Sequence, residues 1–230
     1  MASDEPAVDT DRRAEHDLHG RKSGPVIGVR DMGGYSTRSG RSVRTSLLYR
    51  AHRLDVWTRQ HPLALAQLNV RSVYDLRTRS ERSLHPVRLP DGVTQIAVDA
   101  FGGDDPFVGA RGYRQMVSLP CANAAYRSLF ADLCRGDRLP AVFHWHSRPE
   151  PVAWATAALL MLMGIPYEVI LRDFLRASEH VSTRSSQTDL DASLHEMRDK
   201  YGTIDRYFGD GLGLGRPSQE RLRTLLLELF

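Results

Sequence analysis

The chain has 230 residues, of which 41% are hydrophobic and 26% charged, a balance typical of one globular domain of α/β size. The formal net charge is only +3, because 31 basic residues are matched by 28 acidic ones. No lysine- or arginine-rich run alternates with aromatic residues, so we expect no nucleic-acid partner. The longest apolar run begins at Ala155 and is broken by Gly164 and Pro166, which makes it too short to span a bilayer. We therefore expect no membrane partner.

The N-terminal region is polar, and we expect no secretion signal in it. Residues 1–23 show no hydrophobic periodicity and predict a flexible tail, which precedes a single domain over residues 24–230. The first residues lack the charged-then-apolar pattern of a signal peptide. Cys121 and Cys134 have no metal-binding spacing, and we interpret them as small buried residues. These features predict a cytoplasmic protein.

Hydrophobic patterns predict strands that alternate with helices, followed by a helical C-terminal part. The predicted strands cover residues 25–29, 45–49, 70–76, 94–98 and 141–143. Between the second and third strands, residues 58–68 predict a helix. Residues 101–112 are glycine-rich and predict a loop, and a charged region at 78–89 has no assigned element. Two helices are predicted next, separated near Pro120, and the second covers residues 122–135. The later helices are predicted at residues 151–163, 166–180, 187–201, 203–208 and 217–229. This order is typical of an α/β sheet with covered faces.

A polar loop after the strand predicted at residues 141–143 carries the strongest functional signal. It runs from His144 to Glu150, and a helix is predicted to begin at Pro151. A strand–loop–helix unit can direct backbone N–H groups at an anion, although Pro149 and Pro151 have no N–H. The loop is also rich in ionisable side chains, which are His144, His146, Arg148 and Glu150. We expect the function of the protein to depend on this loop.

Several short motifs occur in an order known from one family: Val29–Tyr35, Leu48–Arg50, Val73–Arg77, Leu89–Gly92, Val142–His144, Asp173–Arg176 and Tyr201–Phe208. Together they resemble the bacterial tyrosine phosphatase family of the secreted mycobacterial type, in the cysteine-based phosphatase superfamily. The resemblance covers about residues 25–229. It implies a cysteine-phosphatase-like α/β fold, with a central mixed but mainly parallel sheet flanked by helices. Members of that family act on phosphotyrosine, phosphoserine or phosphoinositides.

The family signature is His-Cys, five residues, Arg and then Thr-Gly. Its cysteine thiolate attacks phosphorus, and its arginine binds the phosphate oxygens. In this chain the histidine is His144, the cysteine position holds Trp145 and the arginine position holds Pro151. Trp145 has no nucleophilic atom, Pro151 has no guanidinium, and the carboxylate of Glu150 would repel a phosphate dianion. We therefore expect no cysteine-dependent phosphatase activity.

The ionisable loop favours a repurposed enzyme. It would catalyse cofactor-independent acid–base chemistry, of the lyase, isomerase or cyclase type, on a small-molecule substrate. His146 and Glu150 are the candidate catalytic residues, assisted by Arg148 and Asp75, because such groups near a helix N-terminus can transfer protons and bind oxyanions. Asp75 matches a family aspartate that approaches the phosphate loop. Its alternative role is a strand-end carboxylate that caps the next turn.

The candidate substrate-binding residues are His144, Trp145, Ser147, Arg50 and His52. In the resembled family the histidine at the His144 position orients the loop, which implies a supporting role. Arg50 and His52 match a segment beside the same pocket, and His52 stands where the family usually has an acidic residue. Trp145 either narrows the pocket or belongs to the core.

The alternative function is a non-catalytic pseudophosphatase that binds a protein partner or an anionic ligand. The absence of both essential groups and the two loop prolines support it. A structure with His146 and Glu150 turned outward, and with Trp145 filling a collapsed pocket, would favour this alternative over the enzyme. His144 and His146 have no third ligand at suitable spacing, so we predict no metal site and no cofactor.

Overall fold

The computed structural model describes residues 29–61, 63–103, 109–177 and 185–228. Within them, a five-stranded sheet is formed by β1 (Val29–Asp31), β2 (Leu48–His52), β3 (Ser72–Asp75), β4 (Thr94–Ala97) and β5 (Ala141–Trp145). The strand order is β1-β2-β5-β3-β4. Strand β1 pairs antiparallel with β2, and the remaining pairs are parallel. The predicted α/β fold with a central mixed, mainly parallel sheet is confirmed.

Helices cover both faces of the sheet and form the C-terminal part. None of the described helices is long and apolar enough to cross a membrane. They are α1 (Leu54–Gln60), α2 (Ala64–Gln67), α3 (Arg79–Leu84), α4 (Gly109–Ser118), α5 (Pro120–Arg135), α6 (Glu150–Leu162), α7 (Tyr167–Ala177), α8 (Gln187–Tyr201), α9 (Ile204–Arg206) and α10 (Arg216–Leu226), with a π-helical turn at Tyr207–Gly211.

The central strand β5 is buried along its whole length because its alternate side chains enter two different cores. Phe143 belongs to the larger core and meets Tyr74 of β3 edge-to-face, with ring centroids 5.8 Å apart. Val142 points to the other face and packs in a smaller cluster with Val73. Burial of each such side chain stabilises the fold by about 1.5–3 kcal/mol. The loop that follows β5 therefore starts from a rigid position.

Several element boundaries differ from the predictions for local reasons. The strand predicted at 45–49 is displaced to Leu48–His52, because Ser46 has a left-handed φ of 62°. The helix predicted at 58–68 is two helices, and the first ends at Gln60, with its C-cap at His61, the residue before Pro62. Helix α3 lies in the charged region that had no assigned element. The predicted tail, residues 1–23, lies outside the described residues, as does most of the strand predicted at 25–29.

A buried ion pair attaches α7 to the sheet. Arg50 of β2 donates from Nη1 and Nη2 to the two carboxylate oxygens of Asp173, at 2.8 and 2.7 Å. The hydroxyl of Tyr35 donates to the same carboxylate at 2.7 Å. Both charged side chains are almost fully buried. Each charge therefore depends on the other for compensation, because neither has access to water.

Asp173→Ala is expected to destabilise the protein by about 3–5 kcal/mol, since it leaves the buried guanidinium of Arg50 without its counter-charge. Urea unfolding followed by circular dichroism measures the change. The matched control is Glu220→Ala, which removes a solvent-exposed pair with Arg216 and should cost less than about 1 kcal/mol. Equal effects of the two variants would contradict the importance of the buried pair.

Candidate functional site

The loop between β5 and α6 is bound to a carboxylate of the protein itself. The backbone N–H of Ser147 donates to Oε1 of Glu81 at 3.0 Å, and the Ser147 hydroxyl donates to the same oxygen. Glu81 belongs to α3, which lies far from the loop in sequence. A backbone N–H in a loop of this kind is a group that binds external anions in other proteins. In this chain the N–H of Ser147 is already bound to the carboxylate of Glu81.

Glu81 is positioned by a capping box at the start of α3. Its Oε2 accepts the backbone N–H of Thr78 at 3.0 Å, and its own N–H donates to the Thr78 hydroxyl at 3.2 Å. Burial by itself would raise the pKa of Glu81, but the hydrogen bonds from Ser147 and Thr78 outweigh it and hold the pKa below its usual value. The carboxylate is therefore ionised at neutral pH and joins the helix N-terminus to the loop.

His146 also faces the carboxylate of Glu81. Its Nδ1 lies 3.7 Å from Oε1 of Glu81, and its ring stacks on that of His85 with centroids 4.4 Å apart. Its carbonyl is 2.8 Å from Nε2 of His52, which orients the backbone. Its Nε2 is buried and has no hydrogen-bond partner. Burial and the neighbouring His85 and Arg53 lower the pKa of His146, against the opposing charges of an aspartate and of Glu81.

That aspartate is Asp55, in the first turn of α1. Its side chain is only 2% exposed, and neither carboxylate oxygen has a hydrogen-bond partner. Its ion-pair partner is Arg59, whose Nη2 lies 3.6 Å from Oδ2 of Asp55. One ligand atom each of Asp55, His85 and His146 lies within 4.8 Å of the others, so these three side chains could hold a metal ion. The sequence spacing of His144 and His146 offered no third ligand, and the structure supplies two partners from other elements.

Arg148 and Glu150 have different partners from His146. Arg148 Nε lies 3.4 Å from Oε2 of Glu150, and its guanidinium lies 4.5 Å above the ring of Phe101. Glu150, the first residue of α6, is only 1% exposed. Burial raises the pKa of Glu150, and the positive charge of Arg148 offsets part of this rise. The two residues predicted to act together, His146 and Glu150, thus lie in separate electrostatic environments.

His144 and Trp145 lie in strand β5, not in the loop. Their backbones pair in register with Ala51 and His52 of β2, so the polar loop begins at His146 instead of the predicted His144. The ring of His144 is fully buried, with Nδ1 3.1 Å from the carbonyl oxygen of Ala51, and burial lowers its pKa to about 4. Trp145 is 5% exposed, and its ring lies 5.4 Å from that of His52. Both are therefore part of the packed interior.

Asp75 is saturated by hydrogen bonds. Its carboxylate accepts Nε and Nη2 of Arg77, at 2.8 and 2.6 Å, and Nε2 of Gln95 at 2.7 Å. Burial favours a raised pKa, but Arg77 and the nearby His144 hold the pKa of Asp75 below its usual value. Arg77 also donates from Nη1 to the carbonyl of His85 at 2.6 Å. Asp75 thereby helps to hold the end of α3, and Arg50 is similarly engaged by Asp173.

The structure therefore divides the predicted site residues. His146 and Ser147 meet residues that the sequence reasoning missed, which are Asp55, Glu81 and His85. We call Asp55, Glu81, His85, His146 and Ser147 the Glu81 cluster. His52 contacts the carbonyl of His146 beside it. Arg148 and Glu150 form a second, partly buried pair. One sequence signal for Glu81 existed, namely Thr78 and Glu81 at capping-box spacing. Asp55 and His85 had no comparable signal.

Comparison with known proteins assigns the family. The model of the tyrosine phosphatase family matches residues 25–228. A structure of the Siw14 catalytic core is 14% identical, with 76% of this chain and 88% of that chain covered and a TM-score of 0.42. The core catalytic domain of the PP-IP phosphatase Siw14 from S. cerevisiae, in complex with citrate, is 9% identical, with coverages of 80% and 94% and a TM-score of 0.41. No curated protein matches significantly. Because the family model spans most of the chain, the chain belongs to the tyrosine phosphatase family.

Proposed function

We propose that this chain is a non-hydrolysing member of its family that binds an anionic ligand at the loop between β5 and α6. The observation that carries the proposal is the pair of hydrogen bonds from the Ser147 N–H and hydroxyl to Glu81. The loop keeps donors that select a negative group, and Glu81 acts as an internal competitor for them. An incoming carboxylate or phosphate would bind by displacing Glu81.

The residues of the loop argue against phosphatase turnover. Trp145 stands at the position that the resemblance assigns to the nucleophilic cysteine, and it is packed in the larger core. Pro151 stands at the arginine position, in the first turn of α6. Pro149 and Pro151 contribute no N–H to an anion. A bound anion would therefore meet fewer donors than a phosphoryl group needs during transfer, and it would have no attacking group.

A second candidate function is the acid–base enzyme that acts on a small molecule. Glu150 favours it, because a buried carboxyl whose pKa is raised, beside Arg148, has the chemistry of a general acid. In this candidate Glu150 and Arg148 act as one unit at the N-terminus of α6. His146 would act separately, through the Glu81 cluster.

Glu81→Gln is expected to strengthen binding of inorganic phosphate or citrate by roughly tenfold or more. The substitution keeps the shape of the side chain but weakens a charge-assisted contact of about 1.5–3 kcal/mol with Ser147. Isothermal titration calorimetry on the full chain measures the affinity. The control Glu196→Gln changes a carboxylate on α8 that pairs with Lys200. If both variants bind like the unmodified protein, Glu81 does not compete for the loop.

The double variant Trp145→Cys with Pro151→Arg is expected to show no substantial phosphatase turnover. It restores the nucleophile and the guanidinium, but Pro149 still lacks an N–H, Glu150 still carries a carboxylate, and Glu81 still occupies Ser147. Hydrolysis of p-nitrophenyl phosphate is the measurement. Robust turnover would show that the loop has kept a phosphate-binding shape, which would contradict the proposal.

Glu150→Gln is expected to change how stability depends on pH. The folded pKa of Glu150 is raised above its ordinary 4.5, so its neutral form is favoured in the folded state. The stability from this group is present below the unfolded pKa and is lost as pH rises through the folded pKa. Relative to Glu150→Gln, the unmodified protein should therefore lose stability between about pH 4 and pH 7.

Urea unfolding of both proteins at the two pH values measures this difference, with Glu220→Gln as the exposed control. A constant difference between the unmodified protein and Glu150→Gln would mean that burial does not raise the pKa of this carboxyl.

A further inference from the structure

We propose that Asp55, His85 and His146 form a binding site for a divalent transition-metal ion, with Zn²⁺ as the leading candidate. The three side chains come from the first turn of α1, from the residue after α3 and from the residue after β5. Their ligand atoms lie within 4.8 Å of one another. This inference goes beyond the proposed anion binding and does not depend on it.

Three polar side-chain atoms of the site are buried without a hydrogen-bond partner. Both carboxylate oxygens of Asp55 are buried without a hydrogen bond, and the paired Arg59 is 60% exposed and 3.6 Å away. The Nε2 atom of His146 is likewise buried without a partner. A buried carboxylate without hydrogen bonds is costly in a folded protein. A bound cation supplies the compensation that the fold itself does not give to Asp55.

The ligand set suits an ion that prefers imidazole. Two histidines and one carboxylate are a common set for Zn²⁺, and the same set holds Fe²⁺ in other proteins. Zn–N bonds of about 2.0–2.1 Å place ligand atoms about 3.4 Å apart, so binding must draw these atoms together by roughly 1 Å. The rings of His85 and His146 are stacked at 17°, and one must rotate to share an ion. Both residues lie at element ends, where such rotation costs little backbone movement.

The surroundings support the ligands. The carbonyl of His85 is held by Arg77, and the carbonyl of His146 by His52, so the backbones of both histidines are anchored. Glu81 Oε1 lies 3.7 Å from Nδ1 of His146, so a small rotation of the ring would allow a supporting hydrogen bond. Three protein ligands leave a fourth position for water.

Calorimetric titration of the untagged, metal-free full chain with Zn²⁺ tests the site. We expect one Zn²⁺ per chain and a higher melting temperature when the ion is bound. Fe²⁺, titrated without oxygen, distinguishes the two imidazole-binding ions by affinity. Mg²⁺, which prefers oxygen ligands, should give no measurable binding. Co²⁺ in place of Zn²⁺ should give the visible absorption of a four-coordinate ion.

Variants assign the ion to these residues. Asp55→Asn keeps the shape of the side chain and should weaken Zn²⁺ binding by at least about tenfold, and the double variant His85→Ala with His146→Ala should abolish it. The control His195→Ala, on the exposed face of α8, should still bind one ion. Circular dichroism confirms that each variant is folded.

Two results would overturn the proposal: no one-to-one binding of Zn²⁺ or Fe²⁺ by the unmodified protein, or unchanged binding by folded Asp55→Asn and the double histidine variant. Metal stoichiometry is measured without any anion. The outcome is therefore independent of whether phosphate binds at Ser147.

Discussion

The carboxylate of Glu81 is the contact on which the arrangement of the site depends. One of its oxygens caps α3 through Thr78, and the other accepts two hydrogen bonds from Ser147 in the loop after β5. A single side chain thus fixes the position of a helix end relative to the loop. Because its hydrogen bonds outweigh the cost of burial and keep Glu81 ionised, the contact persists at neutral pH. The rings of His85 and His146 stack on each other beside this contact.

In this chain the loop between β5 and α6 binds a carboxylate of the protein itself. The sheet is held by other contacts, which are the packing of the central strand β5 and the buried pairs Arg50–Asp173 and Asp75–Arg77. These pairs account for two polar residues, Arg50 and Asp75, that had been assigned to the site by resemblance. Their charges are compensated within the scaffold, and Asp75 also contacts the end of α3 through Arg77.

Local sequence signals predicted some features well and others poorly. The alternation of strands and helices, together with the resemblance, predicted the mixed sheet, and the 187–201 helix agrees with α8 (Gln187–Tyr201). The capping-box spacing of Thr78 and Glu81 was present in a region whose charge concealed a short helix. The predicted strand at 141–143 is two residues shorter than β5, because polar His144 and aromatic Trp145 are typical of a loop. Pairing with β2 extends the strand through both residues and buries them. Such pairing is a long-range effect that no local window contains.

The sequence alone determined the fold class, the family resemblance and the presence of ionisable residues in the loop between β5 and α6. These properties follow from periodicity, motif order and residue chemistry along the chain. Only the tertiary structure decided which of those residues meet. It separated His146 from the Arg148–Glu150 pair, and it brought Asp55, Glu81 and His85 to His146 from other elements. The physical reason is that parallel strands end at one edge of a sheet, so residues distant in sequence converge there and the partners they find set their charge and their role.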